Sequence, residues 1–153
     1  MGRKDIEIGI EIAGIRKFER TVNRFEKEFI RKVKRVIVET AKLIKSQAQA
    51  LAPEDDGNLR KSIEIEYFNG GLSARISVGA HYGVYVEYGT GIYAVEGNGR
   101  KTPWAYRDPE GRYDEKGNPI FIWTRGMHAQ PYWAPAIEIG SKYFERELNK
   151  LGA

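Results

Sequence analysis

The chain has 153 residues, 41% of them hydrophobic and 30% charged, with a formal net charge of +4. That length fits one domain with a substantial core, and the composition is that of a globular chain rather than a disordered one. The absence of cysteine excludes disulfides, thiol catalysis and thiolate metal sites, and no run of 18 apolar residues is present to cross a membrane.

The basic character is local. Residues 15–52 carry eleven Lys/Arg against four Glu, whereas residues 53–68 carry two against five acids. The opening "MGRKDIEIGI" lacks the apolar core and small-residue cleavage site of a signal peptide, which, with the missing cysteines, fits assembly in a reducing cytoplasm.

In chain order, "DIEIGIEIAG" alternates Ile6, Ile8, Ile10 and Ile12 with polar or small residues, a strand pattern that Gly14 ends. The period then changes. Ile15, Phe18, Val22, Phe25, Phe29, Val33, Val36, Thr40, Leu43, Gln47 and Leu51 recur at steps of three and four, the stripe of an amphipathic helix. Ala52-Pro53 stops it, because the residue before a proline avoids the helical region. A continuous helix from 15 to 52 would be about 57 Å long, so it either bends or projects beyond a domain of this size. "PEDDGNLRKSI" follows: Asp55, Asp56, Gly57 and Asn58 close a turn or cap a short helical turn at Leu59. "SIEIEYF" and "LSARISVGA" alternate around Asn69-Gly70-Gly71, which predicts an antiparallel hairpin. Residues 92–130 form a long excursion in which "TPWAYRD" and "PIFIWTR" read as a second, aromatic hairpin; so long a connection signals a functional or partly disordered loop. Pro131 and Pro135 then open a final amphipathic helix. The order β-α-β-β-β-β-α predicts an α+β fold: one domain over 1–153, an antiparallel sheet packed on a long N-terminal and a C-terminal helix, with an extension at about 92–130.

Candidate chemistry is sparse. The two histidines, His81 and His128, cannot make a three-histidine metal site, and joining them with Glu87 would span 47 residues and a flexible loop; no metal and no cofactor are expected. No serine sits in a nucleophile elbow, and "GNGRKT" at 97–102 lacks the spacing and following helix of a phosphate loop. Glu87, in "HYGVYVEYGTG", is the one acid in an apolar, aromatic setting. A hydrolase built on it would need a second acid, and none stands near in sequence, so the favoured role is structural: Glu87 ties down the turn at Gly89, Thr90 and Gly91 or pairs with an arginine. On the first helix, Lys27, Arg31, Lys34, Arg35, Lys42 and Lys45 can form a basic face for nucleic acid. Glu28 and Glu39 interrupt it and the aromatics lie elsewhere, so a solvated helix face is the simpler reading. Eleven Tyr, Trp and Phe residues between 82 and 133 are more than a small sheet hides, which points to protein–protein contact.

Three stretches in series, "APEDDGNLRKSI", "AHYGVYVEYGTG" and "GMHAQPYWAPAIE", resemble the head–tail connector or tail-completion proteins of long-tailed phages, the HK-type gene-product-ten family. The resemblance spans about residues 20–150. The family pattern has Thr before the glycine of the first stretch; Asp56 stands here and can make the same local bond. The resemblance implies a structural component of a phage or prophage virion without catalytic activity. It would be made in the bacterial host cytoplasm and assembled as a homo-oligomeric ring at the head–tail junction, between portal-side and tail-tube proteins and away from any membrane. Gly57 and Leu59 would be turn residues. Contacts would come from Tyr85, Tyr88, Tyr93, Trp104, Tyr106 and Trp123, together with Met127, Gln130 and Trp133. The 92–130 loop would become ordered on assembly.

Overall fold

The computed structural model describes residues 8–11, 27–54 and 57–152. Ile6 and Ile12, the helical stripe from Ile15 to Phe25, and Asp55 and Asp56 lie outside them. The chain divides into two units, Met1–Gly83 with Pro131–Ala153, and Val84–Gln130. The excursion expected at about 92–130 is the body of the second unit, which begins earlier, at Val84.

In the first unit, β1 (Ile8–Glu11), β2 (Ile63–Phe68) and β3 (Ser73–Val78) form an antiparallel sheet in the order β1-β3-β2. The register sets Ile63 opposite Val78, Ile65 opposite Ile76 and Tyr67 opposite Ala74. These six share one face, and Ile63, Ala74, Ile76 and Val78 are fully buried. Glu66 and Arg75 pair at 3.9 Å on the other face. The backbone register of β1 places Ile8 opposite Val78 and Ile10 opposite Ile76. The β2–β3 turn, Asn69–Gly71, has positive φ throughout, which Asn and Gly tolerate best.

Helix α1 (Lys27–Leu51) packs on β2 and β3 and on the C-terminal helix, with which it makes the most extensive contact of any two elements in separate parts of the chain. Its 25 residues span about 37 Å. It ends where Pro53 requires. Its C-terminal turn carries no basic residue, and Arg60, from the short helix α2 (Asn58–Lys61), supplies that charge from outside. The Arg60 guanidinium donates to the Ala52 carbonyl at 2.8 and 3.1 Å, while Gln49 donates back to the Arg60 carbonyl at 3.0 Å. Gly57 holds the N-cap of α2 at φ +68° without a side-chain cap, and Leu59 is buried.

The buried face of α1 differs from the expected stripe in its second half. Leu43 and Gln47 are only half-buried and Leu51 is exposed; the core positions are Ile37, Ala41, Ile44 and Ala48. Close approach of the last helix, labelled α4 after a short helix α3 (Gly83–Tyr88) that lies in the second unit from Val84 on, explains the shift. Helix α4 (Trp133–Leu151) buries Trp133, Ala136 and Gly140. A Cβ on Gly140 would overlap Ile44 Cγ1 and stand 2.6 Å from its Cδ1. Small residues let the backbones meet there, and a reading guided by large apolar side chains passes over them. At the outer edge of this contact Glu39 accepts from Arg35 at 2.7 Å and from the Tyr143 hydroxyl at 2.8 Å. The Arg35 bond, then the Tyr143 bond, holds the Glu39 carboxyl below its ordinary range.

Glycine costs a helix interior about 1 kcal/mol relative to alanine, so close packing is what favours Gly140. Gly140→Val is expected to lower stability by about 3 kcal/mol. Combined with Ile44→Ala, it should lose less than the sum of the single losses, because the smaller residue admits the new side chain. Thermal or urea melts followed by circular dichroism check both outcomes.

Candidate functional site

The three stretches of the sequence resemblance meet at one point of the first unit. A Cβ on Gly83 would lie 2.6 Å from the Tyr132 hydroxyl, 3.0 Å from Val78 and 3.2 Å from Leu59 Cδ1. Leu59 comes from the first stretch, Gly83 from the second and fully buried Tyr132 from the third. The chain therefore leaves the first unit and re-enters it at neighbouring positions. Trp133 is 7% exposed and belongs to this core, which removes it from the exposed aromatic set.

The second unit opens with α3, which sequence patterning did not predict. Val86 and Glu87 face inward, while Tyr85 and Tyr88 face out. After α3 the chain turns through Gly89 and Gly91, at φ +73° and +63°. The turn is stitched to the returning segment. Thr90 N–H donates to the Met127 carbonyl at 2.8 Å, and Met127 N–H donates to Thr90 Oγ1 at 2.9 Å. Ile92 N–H donates to Arg125 O and Gln130 N–H to Val86 O. A Cβ on Gly91 would overlap the Arg125 carbonyl. Tyr93 stacks on His128 with ring centroids 3.8 Å apart. Met127 is half-buried in this clasp and Gln130 is exposed.

Beside the turn lies a groove of about 480 Å³, lined by Tyr85, Tyr88, Thr90, Glu96, Arg100 and Trp104 among others. The Arg100 guanidinium lies over the Trp104 ring, 5.2 Å from its centroid. Glu96 is exposed and enters no ion pair among the described residues. Glu87, 5% exposed, is not among the residues lining the groove; the N–H groups of Gly89 and Thr90 donate to the carbonyls of Tyr85 and Met127.

From the groove rises a two-stranded arm, β4 (Trp104–Arg107) paired antiparallel with β5 (Phe121–Thr124). Directly opposed residues share a face. Ala105 with Trp123 and Arg107 with Phe121 make one face; Trp104 with Thr124 and Tyr106 with Ile122 make the other. Trp123 is 74% exposed and Phe121 58%. Phe121 is one of the eleven aromatics counted between 82 and 133 but not of the contact residues named from sequence, although it alternates with Trp123 in the same strand.

A second buried acid, Asp108, secures the arm, and sequence reasoning missed it. Its N–H donates to Ile120 O at 2.9 Å, and its carboxylate accepts from Arg112 Nε at 2.5 Å and from the Glu110 N–H at 3.2 Å. The signal was present in "RDPEGR", an Asp-Pro turn with an arginine four residues on. At the tip, Asp114 accepts from the N–H groups of Lys116 and Asn118.

Among the described residues no group of three or more His, Asp or Glu side chains is placed to hold a metal, and no helix is long and apolar enough to cross a membrane. On α1, Lys27, Arg31, Arg35 and Lys42 are exposed, while Lys34 and Lys45 are half-buried. Of this face Arg35 is paired to Glu39; Lys32, outside it, pairs with Glu28.

The second unit thus sets an aromatic arm beside an aromatic groove. In comparison with known families, residues 16–89 match the family described as "Bacteriophage HK97-gp10, putative tail-component". Over that stretch, just under half its length, the chain is similar to the HK97-gp10-like family of phage tail components. The match covers the first of the three stretches and all but the last two residues of the second, and ends at Gly89, before the third. No curated protein and no solved structure matches the chain.

The Arg112 bond, aided by the Glu110 N–H and opposed by burial, holds the Asp108 carboxyl below its ordinary value. A depressed carboxyl contributes stability that is complete above the unfolded-state value, about 3.9, and is lost as pH falls through the folded value. Acid titration followed by tryptophan fluorescence should therefore show the arm loosening below about pH 4, with that component absent in Asp108→Asn.

Proposed function

We propose that this protein is a structural subunit of a phage or prophage virion that joins head and tail by assembling into a ring. It acts by binding, without catalysis. The observation that carries this reading is the aromatic arm: Phe121 and Trp123 stand in solvent on a rigidly braced strand pair, where a lone subunit has no use for them. The family match supplies the setting, a phage tail. Portal-side and tail-tube proteins at the head–tail junction are the expected neighbours. Glu28 and Glu39, which interrupt the basic face of α1, make DNA contact the weaker alternative.

Electron microscopy of the purified protein, alone and mixed with tail tubes, tests the assembly. Rings, or a cap at one tube end, are expected. Monomers with no affinity for tubes, together with normal virions from phage lacking the gene, would overturn the reading.

In the same reading Glu87 is a structural carboxylate that steadies the turn after α3. Glu87→Gln is expected to raise protease sensitivity between Gly89 and Gln130 while leaving the first unit folded. Unchanged protection and an unchanged melting curve would remove that role.

A further inference from the structure

The second unit carries both a projecting aromatic face and a concave aromatic groove. We infer that they are complementary, and that the Phe121–Trp123 face of one copy seats in the Tyr85–Tyr88–Trp104 groove of a second copy. This rests on the ring reading above and deepens it by naming the contact.

Three observations select a second copy as the occupant. First, the arm cannot fill its own groove. Trp104, which lines the groove, lies on the opposite face of the β4–β5 pair from Trp123, because Trp104 is opposed to Thr124 and Trp123 to Ala105. Second, the groove suits the side chains offered. At about 480 Å³ it is in the size class that encloses a sizeable ligand, and the Arg100 guanidinium over Trp104 forms a flat cationic–aromatic platform for an indole. Third, a charge pairing is open. Glu96 in the groove, which Arg100 also lines, has no ion-pair partner among the described residues, and Arg107 stands on the arm beside Phe121, with its guanidinium over Tyr113 and donating to that hydroxyl at 2.7 Å. Since arm and groove are different surfaces of one chain, the contact is head-to-tail and passes from copy to copy. It closes into a ring when the rotation per contact divides a full turn.

The test uses two variants of the full chain: an arm variant, Trp123→Ser, and a groove variant, Tyr85→Ser with Tyr88→Ser. All three side chains are exposed, so circular dichroism melts should match the parent. In sedimentation velocity the parent is expected to form a closed oligomer. Each variant alone should be monomeric, with its dissociation constant raised about thirtyfold or more, as for an interface anchor. Mixed, the two should form a one-to-one dimer and go no further, because only one arm and one groove remain competent. Trp123→Phe should restore most of the association. An oligomer that persists in either variant overturns this contact and leaves the ring reading standing. A parent that stays monomeric at every concentration overturns both. A groove variant that still self-associates while the arm variant does not would show arm-to-arm pairing instead, and also overturns the inference.

Discussion

The hydrogen that Gly83 carries in place of a side chain is the constraint on which the first unit closes. Leu59, Val78 and the Tyr132 hydroxyl all crowd the space that a Cβ would take. They come from the short helix after α1, the central strand and the segment before α4, so one small residue lets three distant stretches share a packing point. The α1–α4 contact follows the same rule at larger scale. Gly140 and Ala136 on one helix, with Ala41 and Ala48 on the other, are all buried, and Ile44 fills the gap at the closest approach. Stability in this unit therefore depends as much on where side chains are missing as on where large ones sit.

That dependence explains which parts of the fold were legible. Alternating isoleucines around Asn69-Gly70-Gly71 fixed the β2–β3 hairpin, because period and turn chemistry agree there. Pro53 marked the end of α1, and Pro131 with Pro135 marked the start of α4. The aromatic β4–β5 hairpin was visible for the same reason. The buried face of α1 was misjudged by one position in its second half, since Leu43 and Leu51 look more like core than Ala41 and Ala48. Six-residue α3 left too short a period to register, and its tyrosines face outward, so its apolar look came from the wrong face.

The candidate site divides similarly. Tyr85, Tyr88, Trp104 and Trp123 could be singled out from their type and crowding alone, and the structure places the first three on the groove and the last in solvent on the arm. Their arrangement could not, because which aromatics form a hollow and which form a projection depends on strand register and on the clasp between Thr90 and Met127. Asp108 escaped notice because an acid in a polar, turn-rich string looks solvated; its burial comes from the backbone of Ile120 and the side chain of Arg112, neither adjacent to it in sequence. The resemblance strings, by contrast, were legible as sequence but not as structure: their meeting place is a packing point rather than a binding site.

The neighbouring exit and return of the chain at Gly83 and Tyr132 has a further consequence. The segment from Val84 to Gln130 is tethered at both ends to a single anchorage, so its contour length is decoupled from the core that holds it. Closing a loop whose ends are already together costs only about 0.6 kcal/mol more for each doubling of length. Lengthening, shortening or replacing the excursion is therefore nearly neutral for the anchoring unit. This is the geometry by which one scaffold can carry differently shaped excursions without being rebuilt.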